Sequence, residues 1–211
     1  EPLGPLDVPL EMFRMQMDYL KRYSTIIRLQ EIIWSNSEVR ERRPRVAVTF
    51  DDACGHLYPN VIEILHKERI PATFFIPVGL VGGTLVTSYG THRVMDWDML
   101  RELVRMGFSI GSHGLTHTPL TNMSESEAER EIRLSRSILE ERLSVPVEDF
   151  AYPKGKYNSQ IVRFVQEAGY LRAVTVRKGT VKPGDNPFTL RRVGVFAATT
   201  PVQFKARLHG L

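Results

Sequence analysis

Arg45-Val46-Ala47-Val48-Thr49-Phe50 runs directly into Asp51-Asp52. A near-continuous apolar, β-branched run of this length reads as a strand buried on both faces, as in parallel sheets covered by helices. Two carboxylates straight after it stand at the strand's carboxyl end, where ligands collect in parallel α/β folds.

Helix and strand signals alternate on both sides of this stretch. Upstream, Phe13, Met17, Leu20 and Tyr23 recur at helical spacing over residues 9–23. Residues 24–29 are β-branched and predict a strand, residues 30–34 a short helix, and residues 35–44 a polar loop. Downstream, the pattern predicts a helix over 58–68, a strand over 72–76 and a mostly looped segment over 77–94 containing Gly79, Gly82, Gly83 and Gly90. A helix over 95–106 is amphipathic through Trp97, Leu100, Leu103 and Val104, and Gly107 stops it. A strand over 108–110 precedes the capping box Ser124-Glu125-Ser126-Glu127, which opens a long helix with Ala128, Ile132, Leu139 and Leu143 on its apolar face. Pro146 closes that helix. Strands over 150–152, 173–176 and 190–195 follow, with a helix capped by Asn158 and a last helix over 200–208. The expected class is α/β: a single-domain distorted (β/α) barrel of about seven parallel strands with outer helices. An open doubly wound sheet is the alternative. No G-x-G-x-x-G follows the first strand, which argues against a dinucleotide fold.

Composition excludes other classes. With 42% apolar and 25% charged residues, the chain is neither disordered nor fibrous. No apolar run approaches a membrane span, and one cysteine, Cys54, allows no internal disulfide. The sequence begins Glu1-Pro2-Leu3-Gly4 without Met, so its start reads as trimmed and any leader as lying outside it. The net charge of +4 is spread along the chain. Arg40, Arg42, Arg43 and Arg45 cluster, but Glu38 and Glu41 dilute them, so a solvated loop is expected and no nucleic-acid partner.

Three predicted strand ends deliver polar residues to one rim: Asp51-Asp52, Gly111-Ser112-His113-Gly114-Leu115-Thr116-His117, and Pro153-Lys154-Gly155. Two imidazoles and one carboxylate form a three-ligand set for a hydrolytic metal, with one position open to water. His113 and His117 are four apart, and Gly114 and Pro119 favour a loop around them. In an extended segment Asp51 and Asp52 would point opposite ways, one to a metal and one to a substrate as a base. Taken singly, an Asp pair is often a cap and loop histidines are often polar surface. Their convergence at strand ends favours the catalytic reading.

Over about residues 46–195 the chain resembles the polysaccharide deacetylases, the NodB-homology proteins or carbohydrate esterase family four. Thr49-Phe50-Asp51-Asp52-Ala53 resembles the family's first motif, TFDD followed by Gly. His113-Gly114-Leu115-Thr116-His117 resembles its second, H-[ST]-x-x-H, with Gly114 in the Ser/Thr place. Ala151-Tyr152-Pro153-Lys154 resembles the third, R-x-P-Y, at the Pro only. The resemblance implies a catalytic domain over residues 45–211, with residues 1–44 as a helix–strand–helix extension packed on it. It implies one divalent metal, most often zinc, held by Asp52, His113 and His117, with Asp51 as general base and the backbone N–H of Lys154 helping to hold the oxyanion. The implied reaction removes N-acetyl groups from an acetylated polysaccharide or oligosaccharide, at the cell envelope or outside the cell.

The departures shape the expectations. Ala53 in place of Gly suggests a turn without positive φ. Ala151 stands where the family's Arg would pair with the base, so Arg192, or failing it Arg172, is expected to approach Asp51. No His matches the family's general acid; His209 lies near the chain end, and the leaving amine is then protonated by Asp51, another residue or water. These departures and the N-terminal segment resemble the branch acting on poly-β-1,6-N-acetylglucosamine. An amidase for a small cyclic amide or formamide, and a non-catalytic carbohydrate-binding barrel, are the competing readings. Cys54 is either a fourth ligand or an inert buried thiol. Among the aromatics Trp34, Phe74, Phe75 and Tyr152, the two Phe are expected in the core; Tyr89, Tyr157 and Trp97 are the candidates for a sugar-facing wall.

Overall fold

The computed structural model of the chain describes residues 8–32, 43–88 and 90–208. Trp34, Tyr89, His209, Arg40 and Arg42 lie outside these residues. Helix α1 (Leu10–Tyr23) forms where Phe13, Met17 and Leu20 share a face, and that face is buried in the common core. β1 (Thr25–Ile26) pairs in parallel with β2 (Arg45–Val46), and β3 (Val48–Phe50) follows. The expected single strand over 45–50 is thus divided at Ala47. It is also half-buried rather than covered on both faces, because β3 is an edge strand.

Helix α2 (Asn60–Lys67) leads to β4 (Ala72–Ile76), which is buried at all its positions. The segment expected to be mostly loop instead holds an antiparallel hairpin, β5 (Thr84–Thr87) and β6 (Gly90–Arg93). The hairpin alternates in burial: Leu85 is buried and Val86 exposed. Then come α3 (Trp97–Arg105), β7 (Ser109–Ser112), α4 (Glu125–Leu143), β8 (Asp149–Ala151), α5 (Ser159–Glu167), β9 (Arg172–Lys178), β10 (Leu190–Arg192) and α6 (Pro201–Leu208).

Among the described residues six strands, against the about seven expected, form one parallel sheet in the order β10-β9-β8-β7-β4-β3, while β1 and β2 stand apart as a short pair. The sheet is a curled half-barrel. Its edge strands β3 and β10 are joined by a side chain: Arg192 Nη1 donates to Thr49 Oγ1 at 3.2 Å. Gly111 shows how tightly the interior is filled, since a Cβ there would come within 2.5 Å of the Phe75 ring. On the outer face, Phe50 stacks on Phe74, and α4 buries Ala128, Ile132 and Leu139 completely. The capping box of α4 is formed, with Ser124 Oγ accepting from the Glu127 N–H and the Glu127 carboxylate accepting from the Ser124 N–H. Among the described residues no helix is long and apolar enough to cross a membrane.

Candidate active site

Every residue that meets at the site leaves the carboxyl end of a sheet strand or stands at one. Asp51 and Asp52 follow β3, His113 follows β7, Pro153-Lys154 follows β8, and Arg192 ends β10. Asp51 and Asp52 part company as their adjacency suggested, but for a different physical reason. Asp52 has φ +66° and Ala53 φ +47°, so the chain turns through the left-handed region instead of continuing extended. This corrects the expectation that Ala53 removes the need for positive φ. Ala53 holds the strained conformation while fully buried, and its carbonyl accepts from the Met95 N–H at 2.9 Å.

Asp52 faces the two imidazoles. Its Oδ1 lies 3.1 Å from His117 Nε2 and 3.5 Å from His113 Nε2. That oxygen is buried and has no hydrogen-bond partner, an expensive state for a carboxylate unless a cation sits against it. Three atoms bound to one tetrahedral ion at about 2.0–2.2 Å would lie about 3.3–3.6 Å apart. The donor set therefore fits a divalent metal such as zinc in both chemistry and spacing. His113 Nδ1 lies 2.7 Å from the Ala151 carbonyl oxygen. A carbonyl can only accept, so Nδ1 carries the proton and Nε2 presents its lone pair to the site. Burial holds the His113 imidazole below its usual pKa, against the pull of Asp51 and Asp52, which keeps it neutral and able to ligate.

Asp51 points the other way, into a fork. Arg192 Nη1 donates to its Oδ1 at 2.7 Å and Nη2 to its Oδ2 at 2.6 Å, a bidentate charge-assisted pair. The same guanidinium donates from Nε to the Thr175 carbonyl at 2.9 Å and packs over the Phe75 ring. Burial alone would raise the Asp51 pKa, but the guanidinium outweighs it and holds the group at about 2. Arg172, the second candidate for this place, is elsewhere. It is buried against Asp149 at 2.6 Å and Glu148 at 2.9 Å, at the amino-terminal ends of β8 and β9.

The turn after β8 carries Lys154 at φ +54°, with its side chain exposed. It abuts the histidine loop, where a Cβ on Gly114 would come 3.5 Å from Pro153 Cγ. The loop itself rests on residues that sequence reasoning missed. Glu131 of α4, 7% exposed, accepts from the N–H groups of Leu115 at 2.8 Å and Thr116 at 3.1 Å. Beneath it, Ser112 Oγ donates to Ser135 Oγ and accepts from the Gly114 N–H, and Tyr170 joins through its hydroxyl. The available signal was a charge and a hydroxyl inside the apolar stripe of α4, where Glu131 and Ser135 alternate with Ala128, Ile132 and Leu139.

Other expectations sort cleanly. Phe74, Phe75 and Tyr152 are core, and the Tyr152 hydroxyl donates to the Phe188 carbonyl. Tyr157 is half-buried and stacks on Tyr152, while the Trp97 ring is covered by Arg142. Cys54 is only half-buried, so it is not the buried thiol expected, and it does not join Asp52, His113 and His117.

Residues 38–173 match the sequence profile of the polysaccharide deacetylases, so the chain belongs to the polysaccharide deacetylase family, a family of hydrolases. A poly-beta-1,6-N-acetyl-D-glucosamine N-deacetylase of Staphylococcus aureus is 25% identical over 88% of this chain and 67% of its own length. Among solved structures, the Streptococcus pyogenes deacetylase PplD, in complex with acetate, superposes with a TM-score of 0.83 at 22% identity, over 96% of this chain and 88% of that one. IcaB from Ammonifex degensii gives 0.80 at 23% identity, over 95% and 88%. At these identities the two structures speak for the fold.

Proposed function

We propose that this chain is a metal-dependent hydrolase that removes N-acetyl groups from an N-acetylglucosamine-type polysaccharide or oligosaccharide, and that β-1,6-linked polymers are its substrate class. The observation that carries the reading is the division of the Asp pair: the Asp52 oxygen is orphaned between two imidazoles, while Asp51 is fixed apart from them by Arg192. The Staphylococcus relative and the form of the third motif support the choice of polymer.

In this reading Asp52, His113 and His117 hold the ion, most often zinc in this family. When bound, it supplies a Lewis acid for the acetyl oxygen and lowers the pKa of water beside it. Asp51, ionised and held in the Arg192 fork, takes the proton from the attacking water as the water oxygen bonds to the acetyl carbon. The Lys154 N–H donates to the charge that develops on the acetyl oxygen. The carbon–nitrogen bond then breaks, the amine takes up the proton that Asp51 holds, and acetate leaves. Arg192 acts through Asp51, as a positioning residue. We read residues 45–211 as the catalytic unit and residues 1–44 as an extension; among its described residues, Phe13 of α1 lies against Phe50, just before the Asp pair. Such a polymer would be met at the cell envelope or outside the cell.

The test is acetate release from β-1,6-linked N-acetylglucosamine oligomers and from chitooligomers, with and without a chelator. Release from the β-1,6 oligomers, abolished by chelator and restored by zinc, is expected. Turnover that ignores the chelator, or none with zinc-loaded protein, would overturn the proposal.

A further inference from the structure

We infer that the chain carries a second divalent-metal site, built from Cys54, His56 and His92 and containing sulfur. Sγ of Cys54 and a ring nitrogen from each histidine lie within 4.8 Å of one another. The two sets of candidate ligands share no residue: Asp52, His113 and His117 form one, and Cys54, His56 and His92 the other. The second trio comes from two segments that the backbone fixes together. Cys54 and His56 belong to the turn after the Asp pair, which continues as a 3-10 helix over Gly55–Leu57; His92 lies on β6. Cys54 forms an isolated antiparallel bridge with Val94. Gly55 sits so close to β6 that a Cβ there would come 3.3 Å from the Arg93 carbonyl oxygen. The Met95 N–H donates to the Ala53 carbonyl one residue before Cys54.

On this frame the His56 and His92 rings stand 5.8 Å apart, tilted 52° to each other. A tetrahedral ion with one sulfur and two nitrogen ligands needs donor atoms about 3.3–3.6 Å apart. His56 is exposed, and a change of its rotamer is the adjustment that closing to this spacing would require. One thiolate with two neutral imidazoles selects a borderline-soft ion, zinc or its cobalt(II) analogue, over magnesium or calcium. Three protein ligands leave a fourth position open. Since the ligand atoms of Cys54, on the turn, and His92, on β6, lie within 4.8 Å of each other, a bound ion would pin β5–β6 to the turn that positions Asp51 and Asp52. The site is thus a clamp on the rim of the active site.

Cobalt(II) titration of reduced, chelator-stripped protein tests this without measuring activity. A cobalt thiolate has a near-ultraviolet sulfur-to-metal charge-transfer band that a site of oxygen and nitrogen ligands cannot produce. The full chain should take up about two equivalents of cobalt and show this band. Cys54→Ser should lose the band and about one equivalent, and His92→Ala should weaken the band, both with an unchanged far-ultraviolet circular dichroism spectrum. Asp52→Ala should keep the band and lose the other equivalent. Absence of the band at saturating cobalt, its persistence in Cys54→Ser, or its loss in Asp52→Ala would overturn the proposal. None of these results depends on which polymer is deacetylated.

Discussion

Asp51 and Arg192 are 141 residues apart in sequence and joined by two bonds of 2.6 and 2.7 Å. The resemblance leads one to expect an Arg after β8, where this chain has Ala151; the guanidinium beside Asp51 comes instead from β10. Lys at this place would keep the charge and lose the fork. Arg192→Lys is therefore expected to lower kcat roughly 10- to 100-fold, the worth of about 1.5–3 kcal/mol in charge-assisted bonding, with KM and zinc content little changed. Steady-state kinetics with zinc analysis checks this; a rise in KM alone would mean that Arg192 binds substrate. Asp51→Asn should lose roughly 10²–10⁴-fold in kcat while retaining metal. Loss of zinc in that variant would mean that Asp51 is itself a ligand. Arg192 could be singled out in the sequence because Leu190 and Arg192 alternate onto one face. The left-handed turn at Asp52 and Ala53 could not, because alanine gives no local sign of positive φ; the hydrogen bond from Met95, 42 residues on, holds it.

At the scale of elements, α4 does two jobs with one stripe. Its apolar members seal the outer face of the sheet, and Glu131 and Ser135 in the same stripe hold the histidine loop from below. Removing the Glu131 carboxylate leaves two backbone N–H groups without their acceptor, a loss of about 1–3 kcal/mol. Glu131→Ala is expected to destabilise the fold by that amount and to weaken zinc binding roughly 10- to 100-fold, as loss of an outer-shell partner does. Isothermal titration with zinc measures the second effect. Glu131→Gln, which keeps one acceptor oxygen, should recover most of it; equal weakening in both variants would mean that charge rather than the hydrogen bond is needed. α4 was legible from its capping box and its period. The β5–β6 hairpin was not, because Gly79, Gly82 and Gly83 before it and Gly90 within it read as loop, and Thr84-Leu85-Val86-Thr87, with two adjacent apolar residues, shows no clear alternation.

In the whole molecule, one end of the sheet gathers the candidate site and the other a buried ion-pair cluster. At the amino-terminal end, Arg172 is buried between Asp149 and Glu148. Arg172→Met would strand the Asp149 carboxylate, 3% exposed, and should cost about 3–5 kcal/mol in urea unfolding while leaving the activity per folded molecule unchanged. A deficit in activity with no loss of stability would place Arg172 in the catalytic machinery instead. The succession of strands along the chain and the ligand-bearing strand ends followed from hydrophobic runs and the polar residues after them. The strand count did not, because β1 pairs only with the two-residue β2, apart from the main sheet, and nothing local in the sequence marks which partner so short a strand takes. In the proposed mechanism the two adjacent carboxylates have different duties. A zinc-loaded crystal structure, with the ion located by anomalous scattering at the zinc edge, tests it most directly. The predicted result is an ion about 2.0–2.2 Å from Asp52 Oδ1 and from the Nε2 atoms of His113 and His117, with both Asp51 oxygens still on Arg192. An ion with Asp51 among its ligands, or bound with His113 and His117 turned away, would contradict the account.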